Sequence, residues 1–134
     1  MYLLDTDTII YFLKNEPVVV NNFRLNADAP KALSVITYGE LLYGAENSAR
    51  RHENLARIHR LAELFPVIDV TRAVMETLSS LKFSLKQAGR TVGDFDLIIA
   101  ATAITVGYSV VTNNQRHFAD IPGLTVVNWK KDNG

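Results

Sequence analysis

The chain contains no cysteine. This excludes a disulfide frame and a thiolate zinc site. It also has no net charge, with 14 Lys and Arg against 14 Asp and Glu. Bulk charge therefore does not draw it to nucleic acid, although a local basic patch stays open. No apolar run approaches the roughly 20 residues needed to span a bilayer. The start of the chain lacks the basic residues and long apolar core of a signal peptide. A soluble, cytoplasmic protein with no membrane partner is expected. Repeats, low-complexity tracts and linkers are missing as well. What is present is 134 residues, 48% of them hydrophobic, enough for the core of one domain spanning 1–134.

Hydrophobic patterning alternates between short runs and longer stripes. Tyr2–Asp5 reads as a strand, and Thr6 or Asp7 as the N-cap of a helix reaching about Leu13. Pro17 suits the first turn of a second helix, Val18 to about Asn26. Ala32–Val35 reads as a strand, and Thr37 opens a helix carrying Glu40. A helical arm follows between Ser48 and Phe65, ended by Pro66, and Val67–Val70 is the next strand. Thr71 caps a helix with the stripe Val74, Leu78, Leu81 and Leu85, closed by Gly89. Asp94 reads as the cap of a helix that is almost wholly apolar from Leu97 to Ile104 and is stopped by Gly107. Ser109–Val111 and Leu124–Val127 are the last strands, separated by a short helix or turn at Gln115–Phe118. Alternation of this kind predicts an α/β fold with a mostly parallel five-stranded sheet.

In such sheets ligands bind at the carboxyl edge of the strands. Asp5, Glu40, Asp94 with Asp96, and Asn113 with Asn114 all fall at that edge. Carboxylates converging on one crevice repel one another unless a cation lies between them. Oxygen donors without cysteine and with few histidines select a hard ion, Mg²⁺ or Mn²⁺. That chemistry suits attack on a phosphodiester, most simply by a nuclease. Each acid also has a plainer explanation. Asp5 or Asp7 could cap the first helix. Thr37 and Glu40 match a capping box. Asp94 could be a cap with Asp96 favoured by the helix dipole. Asn113 and Asn114 could be turn residues. Arg50, Arg51, Arg57 and Arg60 make the arm locally basic, either as a solvated face with pairs such as Glu53–Arg57 or as an RNA contact. His117 reads as a structural residue rather than a metal ligand.

Four segments, taken together, carry a resemblance. They are Leu4-Asp5-Thr6-Asp7-Thr8-Ile9; Ile36-Thr37-Tyr38-Gly39-Glu40-Leu41 with Gly44; Gly93 through Asp96 to Ala101; and Val111-Thr112-Asn113-Asn114 with Phe118 and Ile121-Pro122-Gly123-Leu124. In this order, and across nearly the whole chain, they resemble the PIN-domain ribonucleases, specifically the VapC toxins of type II toxin–antitoxin modules. The resemblance implies a three-layer α/β/α sandwich and a homodimer. It implies a cognate VapB-type antitoxin lying in a groove near the acids, with larger assemblies on operator DNA reached through that antitoxin. Asp5, Glu40 and Asp96 fall at the family's metal-holding acids, and would bind Mg²⁺ or Mn²⁺. Asn114 falls where many members carry a fourth acid, and with Thr6 would tune the attacking water. The ending Val126–Trp129 looks like the branch that cleaves initiator tRNA in its anticodon stem-loop, so the RNA substrate is expected to be a tRNA.

Two departures stand out. Asp7 replaces the usual Asn, as a natural variant or an introduced change, and adds a charge beside Asp5; if it is not native, extra repulsion or altered hydrogen bonding would impair activity. Asp94 stands where a small residue or Pro is usual. The antitoxin groove is expected between the first, second and Glu40 helices, lined by Ile10, Leu13, Val19 and Leu42. Two rival classes remain: a receiver-like phosphoacceptor, disfavoured because no Lys follows the fourth or fifth strand before Lys130, and a non-catalytic or inactivated module acting through its antitoxin or DNA complex.

Overall fold

The computed structural model describes residues 1–131; positions 132–134 of the expected domain lie outside the described residues. Five strands form one sheet in the order β3-β2-β1-β4-β5. They are β1 (Tyr2–Leu4), β2 (Lys31–Ser34), β3 (Val67–Ile68), β4 (Ser109–Val111) and β5 (Val126–Val127). Every pairing is parallel, sharper than the mostly parallel sheet expected. The helices are α1 (Thr6–Leu13), α2 (Pro17–Leu25), α3 (Val35–Glu46), α4 (Arg51–Leu64), α5 (Arg72–Gln87), α6 (Asp94–Val106) and α7 (Gln115–Phe118). None of the described helices is long and apolar enough to cross a membrane.

Both faces of the short strands are covered. Successive side chains point to opposite faces. Leu3, Ala32 and Val110 join α5, α6 and α7 in one core. Leu4, Leu33 and Val111 join Ile9, Val19, Leu41, Ile58 and Trp129 in the other. Helices on both faces of a parallel sheet give the α/β/α layering that the alternation implies. α6 packs against α5 and is apolar nearly all round; Ile99, Ala100, Ala101 and Ala103 are buried to 1% exposure or less. It stops at Gly107, which takes φ 76 and is followed by Tyr108, whose N–H returns to the Ala103 carbonyl at 2.8 Å.

Several boundaries shift. β2 ends at Ser34 rather than Val35, and α3 starts at once. Ser34 Oγ accepts from the Ile36 N–H at 3.1 Å, so Ser34, not Thr37, is the cap. Asp5 caps α1, in place of Thr6 or Asp7. Gly93 is the N-cap position of α6, which puts Asp94 and Asp96 inside its first turn. β5 is only Val126–Val127.

Candidate active site

The strand order reverses its direction of growth between β1 and β4. The chain lays β2 and β3 on one side of β1, then crosses over to place β4 and β5 on the other. Loops leaving β1 and β4 diverge there and open a crevice at the carboxyl edge. Asp5 leaves β1 into this crevice, and Thr112, Asn113 and Asn114 leave β4.

Asp5 is held on both carboxylate oxygens. Oδ1 accepts from the Thr6 N–H at 2.9 Å, and Oδ2 accepts from Thr112 Oγ1 at 2.8 Å. Its backbone N–H donates to the Val111 carbonyl at 2.9 Å, which clamps the two strand ends together. The residue is only 8% exposed. Burial pushes its carboxyl up to about 6, and the nearby charges of Asp7 and Asp96 add to this; the hydrogen bonds from Thr112 and Thr6 oppose it.

Asp7 lies in the first turn of α1 and reaches the β4 loop. Its Oδ2 accepts from the Asn113 N–H at 3.1 Å. The Thr112 hydroxyl has a single proton. It stands 2.8 Å from Asp5 and 3.5 Å from either oxygen of Asp7, so the proton belongs to Asp5. Thr112 Oγ1 accepts in turn from the Asn114 N–H at 3.0 Å, which fixes the start of the loop.

Glu40 approaches from α3. The capping-box explanation fails, because Thr37 lies inside the helix. Its buried hydroxyl has no hydrogen-bond partner among the described residues. Instead Thr6 Oγ1 donates to Glu40 Oε1 at 3.1 Å, tying the two acid-bearing helices together. Glu40, Asp94, Phe95 and Asp96 border one shallow concavity.

Asp96 comes from the first turn of α6. Its Oδ2 lies 2.8 Å from His117 Nδ1, and the Asn114 amide lies 2.9 Å from the same nitrogen. A ring nitrogen cannot donate to one neighbour and accept from the other. With Asp96 ionised, Nδ1 carries the proton and donates it to the carboxylate. His117 thus has the structural part expected of it, but its partner Asp96, like the hold of Thr112 on Asp5, went unread in the sequence. The i, i+3 spacing of Asn114 and His117 across α7 was the available signal, but nothing local announces Asp96.

The structure therefore brings Asp5, Glu40, Asp96 and Asn114 to one edge, with Asp7 and His117 added. They are not drawn to a single point. Among the described residues no three acid or histidine side chains stand close enough to hold an ion as they are placed. The donor set nevertheless fits a hard cation. It offers carboxylate and amide oxygens, and a buried acid under the repulsion of two others, which a cation would relieve. Asp5 is fixed on both oxygens, whereas Glu40 and Asp96 are each held by a single side-chain hydrogen bond.

The expected groove is present with different walls. A cleft of about 400 Å³ lies between α1, α3 and α4, lined by Ile10, Leu13, Leu41, Ala45 and Ile58, with Glu40 at its rim. Val19 is fully buried in the core, and Leu41 rather than Leu42 faces the cleft. α4 replaces α2 as the third wall: its Ile58 and Leu61 share a core with Leu41 and Ala45 of α3, and Arg57 donates to the Leu13 carbonyl at 2.9 Å.

Comparison with known proteins agrees with this geometry. The PIN domain family matches residues 2–124. A tRNA(fMet)-specific endonuclease VapC of Salmonella typhimurium is 38% identical, over 96% of this chain and 97% of its own. A tRNA(fMet)-specific endonuclease VapC of Shigella flexneri is 36% identical with the same coverage. The crystal structure of VapBC2 from Rickettsia felis, bound to a DNA fragment from its promoter, superposes with a TM-score of 0.87 at 32% identity, covering 96% of this chain and 98% of that one. PIN nucleases are typically metal-dependent. The chain belongs to the PIN-domain family, among the VapC ribonuclease toxins of toxin–antitoxin systems.

Proposed function

We propose that residues 1–134 act as one domain, a Mg²⁺-dependent endoribonuclease that cuts tRNA, with initiator tRNA as its target, and so arrests translation. The observation that carries this reading is Asp5. It is a buried carboxyl pushed up to about 6, at the strand-order reversal, with Glu40 and Asp96 on the same edge. Asp5, Glu40 and Asp96 would hold the ion, Mg²⁺ or Mn²⁺. When bound, the ion would stabilise the charge of the phosphodiester under attack and favour ionisation of the attacking water. The chain does the positioning. Thr112 and the Thr6 N–H orient Asp5, the Thr6 hydroxyl orients Glu40, and His117 orients Asp96. Asn114 stands beside His117 and is suited to orient the water. A water oxygen attacks phosphorus in line and the bond to O3′ breaks. The products are a 5′-phosphate on one fragment and a 3′-hydroxyl on the other, without use of the RNA 2′-OH.

The target rests on the two relatives described as tRNA(fMet)-specific endonucleases. The partner rests on the Rickettsia felis complex. A VapB-type antitoxin would lay an apolar segment into the cleft walled by Ile10, Leu13 and Leu41. A toxin dimer would then reach operator DNA through the antitoxin. The test is cleavage of total tRNA by the purified protein, with Mg²⁺ and with EDTA, beside Asp96→Asn. Metal-dependent cutting of one or a few tRNAs, lost in the variant and ending in 5′-phosphate, is expected. A 2′,3′-cyclic phosphate product, or cutting that survives EDTA, overturns it.

A further inference from the structure

The basic charge concentrated in α4 is mostly engaged within the fold. Arg50 pairs with Glu53 at 3.6 Å, Arg51 pairs with Glu46 at 2.6 Å, and Arg57 donates to the Leu13 carbonyl. A different cationic group stands directly beside Asp96. Arg90, Arg116 and His117 border a concavity of about 300 Å³, together with Thr91, Gly93 and Asp96. We propose that this concavity is a subsite for an RNA backbone phosphate neighbouring the scissile one, gripped by Arg90 and Arg116. This inference rests on the ribonuclease reading.

The fold builds the subsite from three separate turns. α5 ends at Gly89, which takes φ 72, and the Arg90 N–H bonds back to the Leu85 carbonyl at 2.8 Å. Arg90 is therefore anchored by its backbone, and its side chain lines the concavity. Its Nη1 is buried and has no hydrogen-bond partner among the described residues. Asp120 Oδ2 is 3.7 Å from that atom, near enough for charge attraction and too far for a hydrogen bond. Arg116 comes from α7, beside the His117 that holds Asp96. Gly93, the side-chain-free N-cap position of α6, forms part of the wall.

Two guanidinium forks lining one hollow suit an oxyanion with several oxygens better than a single carboxylate. Position narrows the ligand further. The concavity shares Asp96 with the acid edge, so in a ribonuclease the anion lying there is the strand being cut. On the far side of Arg90 a second hollow adds Lys82 and Lys86. Lys82 is paired with Asp94 at 3.1 Å, and Lys86 adds a further cation to this hollow. A chain of zero net charge can in this way hold a polyanion: acids where the bond breaks, arginines on the next phosphate.

The test measures binding and cleavage of one probe, a fluorescein-labelled single-stranded oligoribonucleotide, over a range of KCl concentrations. Binding is read in EDTA by anisotropy, and cleavage in Mg²⁺ gives KM and kcat. Arg90→Gln and Arg116→Gln are each expected to weaken binding and raise KM about five- to ten-fold. Each should leave kcat within about two-fold and reduce the salt slope by about one. Asp120→Asn removes the carboxylate that competes for Arg90, at a left-handed position (φ 62) that Asn tolerates. It is expected to bind RNA as tightly as the parent protein or more so. If Arg90 were only a strut to Asp120, Asp120→Asn would reproduce the loss seen in Arg90→Gln, and the subsite falls. Wild-type affinity, KM and salt slope in both arginine variants also overturn it while leaving the ribonuclease reading intact. So does a loss confined to antitoxin binding. If the unaltered protein neither binds nor cuts RNA, the ribonuclease reading fails and the subsite fails with it. Circular dichroism melts check folding, and Arg116→Gln, on the exposed face of α7, keeps the test open should Arg90→Gln unfold.

Discussion

Asp5 and Asp96 stand on the same edge of the sheet, but they are held in opposite ways. Asp5 is 8% exposed and receives hydrogen bonds on both oxygens, one from the backbone and one from a fully buried hydroxyl. The Asp96 side chain is 31% exposed and is tied through one oxygen to the half-exposed imidazole of His117. Glu40 resembles Asp96, an exposed acid with one tether, the Thr6 hydroxyl. The site thus has a rigid half from β1 and β4, and a movable half from α3 and α6. A rigid anchor fixes where an ion would sit. Rotatable acids let the remaining ligands close around the ion and the substrate phosphate together. The rigid half carries a stability cost, because its carboxylate is desolvated, whereas the movable half carries almost none.

The sharpest way to break this comparison is to neutralise each acid in turn. Asp5→Asn and Asp96→Asn should each lower tRNA cleavage by at least about 100-fold. Their effects on stability should differ. The fold holds the Asp5 carboxyl at about 6 against an ordinary 3.8, so it favours the protonated form. This group's contribution therefore falls as pH rises from the ordinary value through about 6, and at neutral pH it costs up to roughly 3 kcal/mol. Asn removes that cost and remains a good N-cap. Asp5→Asn is expected to raise Tm at neutral pH by about 3–8 °C without divalent ions. The gain should fade as pH is lowered toward about 4. Asp96→Asn, on a side chain 31% exposed, should stay within about 0.5 kcal/mol of the parent at neutral pH. Thermal melts from about pH 4 to pH 8 decide it; equal behaviour of the two variants would erase the distinction between the halves.

Thr112→Val probes the rigid half without touching an acid. It removes the donor to Asp5 Oδ2 and the acceptor for the Asn114 N–H in a fully buried place. Loss of a hydrogen bond to a charged group predicts destabilisation by about 1.5–3 kcal/mol at neutral pH. It should also raise the Asp5 titration above its present midpoint, readable by carboxyl ¹³C NMR. A midpoint that stays or falls would show that Thr112 does not stabilise the charged form.

Thr6→Val is the counterpart in the movable half. The bond to Glu40 lies at the surface, so stability should change by no more than about 0.5–1 kcal/mol. The expected signature is a few-fold rise in the Mg²⁺ concentration for half-maximal cleavage with little change in rate at saturation. A fall in the saturated rate alone would mean that Thr6 acts on the reaction rather than through Glu40.

Much of this architecture was legible because it follows from local contrast. An apolar run, a polar break and another apolar run at Tyr2–Leu13 read as strand and helix, and Asp5 falls between them at the strand tip. α6 was legible for the same reason, from its unbroken apolar run. The caps were less so. Ser34 and Thr37 are both cap residues, and Thr37 even has Glu40 at the right spacing. Ser34 prevails because β2 passes into α3 without a loop, leaving its hydroxyl next to the Ile36 N–H. The partners of the acids were not legible at all. His117 meets Asp96 across 21 residues, and Arg90 and Arg116 line one concavity beside it, because the fold brings α6, α7 and the end of α5 together. Sequence spacing names the acids but is silent about long-range hydrogen bonds that hold or tune them.

Asp7→Asn gives the smallest expected effect and the finest test of the rigid half. Asp7 departs from the family pattern, and in the structure it has a clear job: its Oδ2 accepts the Asn113 N–H and pins the β4 loop to α1. The amide oxygen of Asn can accept the same bond, so the loop should stay in place and stability should change little. What disappears is a negative charge that adds to the displacement of the Asp5 carboxyl, behind the larger effect of burial. The Asp5 midpoint should therefore fall slightly from about 6, by much less than the whole distance to 3.8. Cleavage should rise about two- to five-fold, as a less crowded Asp5 holds a cation at lower Mg²⁺ concentration without competition from its own proton. A midpoint that does not move would mean that the charge of Asp7 is already neutralised by the loop amides. A loss of activity would mean that the second carboxylate is itself a ligand, and that the rigid half holds two acids rather than one.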